Sequence, residues 1–142
     1  MKLPTYHWHE DVSFPIRLCL TDSPRPMKPH SQSELELMYF FNTSECRYDC
    51  RGSTLSPQSN ELIVVNPGEI HACGHWGEGC LAMCLILDIK SLLPHQSQLL
   101  FKNLISDTTI NDAFEALKRI LLDTTSSPLT DCRIFALVYE IL

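Results

Sequence analysis

At 142 residues the chain is long enough to bury one core and too short for two well-developed ones. A composition of 44% hydrophobic and 20% charged residues excludes global disorder, and the longest strongly apolar stretch, residues 81–87, falls far short of the roughly 20 needed to cross a bilayer. The net charge of −6 argues against a direct grip on nucleic-acid phosphates, and the first ten residues lack the apolar segment of a secretory signal, so a cytoplasmic location is expected.

The first two thirds predict strands and turns. Residues 14–20 alternate apolar positions at Phe14, Ile16, Leu18 and Leu20, as a half-buried strand does, with Pro15 suited to an edge. Pro24, Pro26 and Pro29 forbid a helix over 21–30 and deliver an extended chain. Residues 34–41 are apolar on both faces by their end, which predicts a central strand with Glu36, Met38 and Phe40 on one face. A more polar strand follows within 42–51, and then the β-branched run 61–65, halted by the turn signal Asn66-Pro67-Gly68. Residues 70–73 and 80–89 close the set, joined by a hairpin containing Gly74, Gly77 and Gly79. Beyond Asp88 the period becomes helical. Leu92, Leu99, Leu100, Leu104 and Ile105 suit one helix, and Ile110, Phe114, Leu117 and Leu121 a second, with Thr109 and Asp112 as a capping box. Ser127-Pro128 opens a third that runs without a stop signal to Leu142, so the chain is expected to be a piece of a longer protein.

Seven cysteines, Cys19, Cys46, Cys50, Cys73, Cys80, Cys84 and Cys132, are an odd number without a secretion signal, which predicts reduced thiols serving mostly as small apolar filler. Neither Cys46 with Cys50 nor Cys80 with Cys84 can pair, since i and i+4 on a strand lie roughly 13 Å apart. His71, Cys73 and His75 alternate on one strand with Cys80 across the hairpin, which permits a zinc or thiol sensor but fits no common zinc spacing.

The polar residues that carry chemistry are His30, Gln32, Glu36 and His71. On strands of a closed sheet they can point inward together. His30, Gln32 and Glu36, followed by Pro67-Gly68-Glu69-Ile70-His71, resemble the two cupin motifs, H-x-H-x3-E and P-x-G-x2-H. Residues 66–71 are similar to the Asn-Pro-Gly-Glu-Val-His version found in AraC-type transcription regulators. The likeness covers roughly residues 30–90. It implies a mainly β protein: a cupin double-stranded β-helix or jelly-roll barrel with an N-terminal arm over residues 1–90, then about three C-terminal helices over 91–142 packed on it.

Three of the family's four metal ligands correspond to His30, Glu36 and His71, but Gln32 stands at the second histidine position. A neutral amide oxygen is a poorer ligand than imidazole, so no cofactor is expected, with a divalent metal on the three remaining residues as the alternative. The resemblance therefore implies a non-enzymatic, effector-sensing and dimerising domain of a transcription regulator. It would bind a small molecule through His30, Gln32, Glu36, Met38, His71, Trp8 and Trp76. Trp8 would sit on an arm across the pocket, or in an unstructured terminus. DNA would be bound only by a domain beyond Leu142, and a homodimer would form through Leu129, Cys132, Phe135 and Tyr139, unless that face covers the barrel. No membrane is involved. The alternative is a small metal-dependent cupin enzyme, an isomerase or oxygenase.

Overall fold

The computed structural model describes residues 6–8, 13–22, 27–96, 99–123, 127 and 129–142. Among the described residues nine strands form two sheets. They are β1 (Tyr6–Trp8), β2 (Ile16–Thr21), β3 (Leu35–Asn42), β4 (Arg47–Cys50), β5 (Ser53–Leu55), β6 (Glu61–Val65), β7 (His71–His75), β8 (Leu81–Leu87) and β9 (Leu104–Ile105). The larger sheet runs β1-β2-β8-β3-β6-β9, and the smaller β5-β4-β7. A bridge from His30 to His71 adds the chain between β2 and β3 to the edge of the smaller sheet. Eight strand segments are thus divided between two facing sheets: β2, β8, β3 and β6 in one, the His30 segment, β7, β4 and β5 in the other. This order is that of a double-sheet jelly roll of the cupin type.

β3 shows why its sequence is apolar on both faces. Met38 and Phe40 pack into the space between the sheets with Tyr48, Cys50, Ile63 and Val65. Leu35, Leu37, Tyr39 and Phe41 face the other way, into a second cluster completed by Phe114, Leu117, Ile134 and Val138. Those four belong to α2 (Asn111–Leu122) and α3 (Thr130–Ile141), which cover the outer face of the larger sheet. Tyr39 stacks on Phe114 with ring centroids 4.2 Å apart, and its hydroxyl lies 2.9 Å from Asn111 Oδ1. Among the described residues no helix is long and apolar enough to cross a membrane.

Three local expectations are corrected. The helix expected from Leu92 to Ile105 is only α1 (Ile89–Leu92), capped by the Asp88 carboxylate on the Lys90 and Ser91 amides. Pro94 disfavours helical backbone at Leu93. The segment beyond is captured in extended form: Asn66 brackets Phe101 with Nδ2 to its carbonyl (2.9 Å) and Oδ1 from its amide (2.8 Å), and Asn103 exchanges bonds with Val64. Leu104 and Ile105 then pair with β6, and Leu100 is left 82% exposed. Second, α2 has no side-chain cap in place of the expected Thr109–Asp112 box; it continues a 3-10 turn, Thr108–Ile110, whose own cap is Asp107, its carboxylate accepting the Thr109 amide at 2.9 Å. Third, α3 begins at Thr130, after a turn in which Ser127 Oγ accepts the Leu129 amide. The expectation for Pro128 lies outside the described residues, as do those for Pro24 and Pro26.

The cysteines are corrected too. Cys46 and Cys80 form a disulfide, while Cys19, Cys50, Cys73, Cys84 and Cys132 are outside any disulfide. The pair takes one cysteine from each of the two i, i+4 sets that cannot pair internally.

Candidate functional site

The structure brings His30, Gln32, Glu36 and His71 together at one end of the barrel. β3 begins only at Leu35, so His30 and Gln32 do not share a strand with Glu36, contrary to the simplest reading of the spacing. The main chain places them. His30 and His71 exchange amide–carbonyl bonds at 3.1 and 2.9 Å, and the Gln32 carbonyl accepts the Gly68 amide at 2.7 Å. Gly68 sits at φ 81°, the left-handed conformation that this turn demands and that glycine adopts without steric cost.

Glu36 is the hub. It is 2% exposed and faces inward with Met38, as the alternation in β3 predicts. Its Oε1 accepts the Tyr48 hydroxyl at 2.7 Å, and its Oε2 accepts Gln32 Nε2 at 3.3 Å. His71 Nε2 lies 3.3 Å from the same Oε2, an ion-pair distance, without the angle of a hydrogen bond, so this buried nitrogen has no hydrogen-bond partner. The other ring nitrogen, Nδ1, faces the Glu69 carbonyl at 3.1 Å. The His30 ring packs on His71 with centroids 4.2 Å apart, and Tyr48 lies parallel to His71 at 6.2 Å.

Burial alone would raise the Glu36 carboxyl, but His71 and the Tyr48 hydroxyl outweigh it and hold the group below its usual range. For His71, burial would lower the imidazole, but the Glu36 carboxylate and the Glu69 carbonyl prevail and hold it above 6.5. The arrangement favours an anionic Glu36 beneath a cationic His71. Burial, then the Glu36 charge, pushes Tyr48 far up, so it serves as a neutral donor.

Tyr48 is the member that sequence reasoning missed. Its signal was the alternation in β4, where Tyr48 and Cys50 are buried between exposed neighbours. A second missed function belongs to the residues around His71. Glu69 Oε2 accepts the Asn66 amide at 2.9 Å and Asn103 Nδ2 at 2.7 Å, so the Asn-Pro-Gly-Glu turn anchors the segment after the barrel and also positions His71.

The other expected members lie elsewhere. Trp76 follows the far end of β7, where it packs on Phe40 at 5.4 Å and donates Nε1 to the Asp22 carbonyl at 3.0 Å. Trp8 lies in β1 beside Leu18, and its side chain is outside the described residues. Of the zinc candidates, His71 and Cys73 are buried, His75 is exposed and Cys80 is bonded to Cys46.

A metal of the kind the fold family implies does not fit the residues present. Gln32, at the second histidine position, turns its amide NH2 toward Glu36 and so offers no ligand atom there. Among the described residues no three His, Cys, Asp or Glu side chains are grouped to hold an ion, His30, Glu36 and His71 included.

Fold and site together define a cupin-type jelly-roll domain with a buried polar cluster around Glu36 and His71. No family model matches the chain, and no curated protein matches its sequence. Among solved structures, a cupin-2 domain containing protein from Shewanella frigidimarina is 15% identical, with TM-score 0.47 over 60% of this chain and 80% of that one. A conserved protein of unknown function from Streptococcus pyogenes is 15% identical, with TM-score 0.42 over 51% of this chain and 61% of that one. A predicted oxalate decarboxylase from Thermotoga maritima is 16% identical, with TM-score 0.41 over 51% of this chain and 64% of that one. The chain spans less than two thirds of the length of the latter two. Likeness of this degree carries no argument about activity, and the fold assignment rests on the strand order.

Proposed function

We propose that this chain is the effector-sensing and dimerising domain of an AraC-type transcription regulator, and that a small polar molecule is read at the Glu36–His71 cluster. The observation that carries the reading is Nε2 of His71, a buried polar atom beneath the part-exposed His30 and Gln32 that faces Glu36 at an ion-pair distance but makes no hydrogen bond. A buried polar atom without a hydrogen bond is costly in the free protein, and a ligand oxygen that accepts from it gains what the free protein lacks. Such a ligand would shift the His30 and Gln32 segment, which hangs on His71 and Gly68 through three main-chain bonds. It would act by binding two states of that segment unequally.

DNA contacts belong, in this proposal, to a domain beyond Leu142, because the acidic charge of this part suits no phosphate backbone. The homodimer would use the outward face of α3, where Leu129 and Tyr139 are 66% and 47% exposed and Cys132 is exposed. Phe135 packs on Phe14 at 5.9 Å, so its part in that face would be small. A cytoplasmic, non-enzymatic role completes the proposal.

The test is a thermal-shift screen of the purified chain against sugars, polyols and hydroxy acids. A hit should raise the melting temperature of the wild type and lose its effect in Gln32→Ala and His30→Ala, since a ligand that binds only the folded state stabilises it. Hits unaffected by both substitutions would overturn the assignment of the site. The reading frame past Leu142 should encode a helix-turn-helix domain, and its absence there would overturn the regulator reading.

A further inference from the structure

The far end of the barrel carries a second chemical feature. The Cys46–Cys80 bond spans 34 residues and ties the turn before β4 to the end of the β7–β8 hairpin. The two turns are in intimate contact: a Cβ on Gly77 would fall 1.4 Å from the Ser44 carbonyl oxygen, so only glycine fits there. Cys80 is completely buried, and Cys46 is 4% exposed. Cys46 lines a pocket of about 630 Å³ with Thr43, Glu45, Arg47, Gln58 and His75, which Cys80 does not reach. Arg47 and His75 are register partners across β4 and β7, and both are exposed, so a cation and an imidazole stand side by side on the pocket wall. At the buried end of the bond, the Ser44 amide donates to the Cys80 sulfur at 3.0 Å.

We propose that the Cys46–Cys80 bond is a thiol–disulfide exchange site, reached through this pocket by a small anionic thiol. The incoming thiolate attacks Cys46 Sγ. A sulfur–sulfur bond forms between the two as the Cys46–Cys80 bond breaks, and the electron pair leaves on Cys80. The Ser44 N–H stabilises that thiolate until it takes a proton from water. A second small thiolate attacks the outer sulfur of the mixed disulfide and departs as the small-molecule disulfide, leaving Cys46 as a thiolate. Two small thiols are oxidised and one protein disulfide is reduced, and the reverse sequence uses the small-molecule disulfide as oxidant.

Two features favour this site over Cys50, Cys73 and Cys84. Burial raises the thiols of Cys73 and Cys84, and burial with the neighbouring Glu69 pushes Cys50 up to about 11, so all three are poor nucleophiles at neutral pH. Arg47, which shares the pocket wall with Glu45, offers a carboxylate of the incoming thiol an attraction that apolar surroundings would not. Where a compartment keeps thiols reduced, a disulfide that does form is usually transient or redox-sensing.

The experiment uses glutathione and glutathione disulfide as probes. After treatment with glutathione disulfide, the wild-type chain is alkylated under denaturing conditions and peptide-mapped by mass. The map should contain Cys46 linked to Cys80, and added glutathione should convert both to alkylated thiols. In Cys80→Ser, glutathione disulfide should leave a mixed disulfide on Cys46, whereas Cys80 in Cys46→Ser should stay unmodified. Arg47→Ala should slow reduction by glutathione several-fold and leave reduction by uncharged β-mercaptoethanol unchanged. Wild-type Cys46 and Cys80 both found alkylated after glutathione disulfide would overturn the proposal, and this readout needs no variant to fold. Equal slowing of both reductants in Arg47→Ala would overturn the role of the pocket.

Discussion

Replacing Glu36 by alanine tests whether this carboxylate organises the barrel mouth. The side chains of Glu36 and His71 are 3% and 0% exposed, so the pair lies out of water. Loss of the carboxylate removes the acceptor of Tyr48 and Gln32 and leaves a buried imidazole facing nothing of opposite charge. Breaking one side of a buried pair costs about 3–5 kcal/mol, more than the pair contributes relative to an apolar replacement of both partners. For a domain of this size each kcal/mol moves the melting temperature by roughly 2–4 °C, so a fall of about 12 °C is expected. Glu36→Gln should cost only about 1 kcal/mol. Its carbonyl can still accept from Tyr48, and its amide can donate to Nε2 of a neutral His71. Urea unfolding at pH 6, followed by circular dichroism, measures both. Equal losses in the two variants, or a loss below about 1 kcal/mol in Glu36→Ala, would refute the reasoning, because removing one partner would then leave no uncompensated charge.

The same pair sets a pH profile. His71 is held above 6.5, so its contribution is complete below that value and is lost as pH rises through the raised one. Glu36 is held below 4.5, so its contribution is present above 4.5 and is lost as pH falls through the lowered value. The melting temperature should therefore decline above pH 6.5 in the wild type and stay flatter in Glu36→Gln, as calorimetry across that range would show. Phe114→Ala removes a fully buried ring stacked on Tyr39 and should cost about 3–5 kcal/mol in chemical denaturation. A cost under about 1 kcal/mol would mean that α2 does not hold the larger sheet. Asn66→Ala deletes both bonds to Phe101 and should cost about 1–3 kcal/mol, with faster hydrogen exchange at Leu104 and Ile105. Unchanged exchange there would show that β9 is held by other contacts.

Much of the barrel was legible because strand periodicity is a local property. The two-sided apolar run of β3, the turn at Asn66-Pro67-Gly68 and the amphipathic α2 are each written in consecutive residues, and each forms where expected. His30, Gln32, Glu36 and His71 were legible as a set only through likeness to a motif, and they do converge. The segment from Leu92 to Ile105 was misread because its leucines recur at helical intervals, while the features that unwind it are Pro94 and side-chain bonds from Asn66, far away in sequence. Tyr48 and the Cys46–Cys80 bond were missed for the same reason. Their partners lie 12 and 34 residues away, across sheets whose register no local pattern reveals.

The sequence by itself determined the alternation of strands and turns, the apolar faces and the acidic surface, since these follow from the period and chemistry of neighbouring residues. Only the tertiary structure decided the protonation of the cluster and the pairing of the cysteines. A pKa depends on which charge a folded chain places within a few ångströms in a medium that excludes water, and a disulfide depends on which sulfurs it brings into bonding distance.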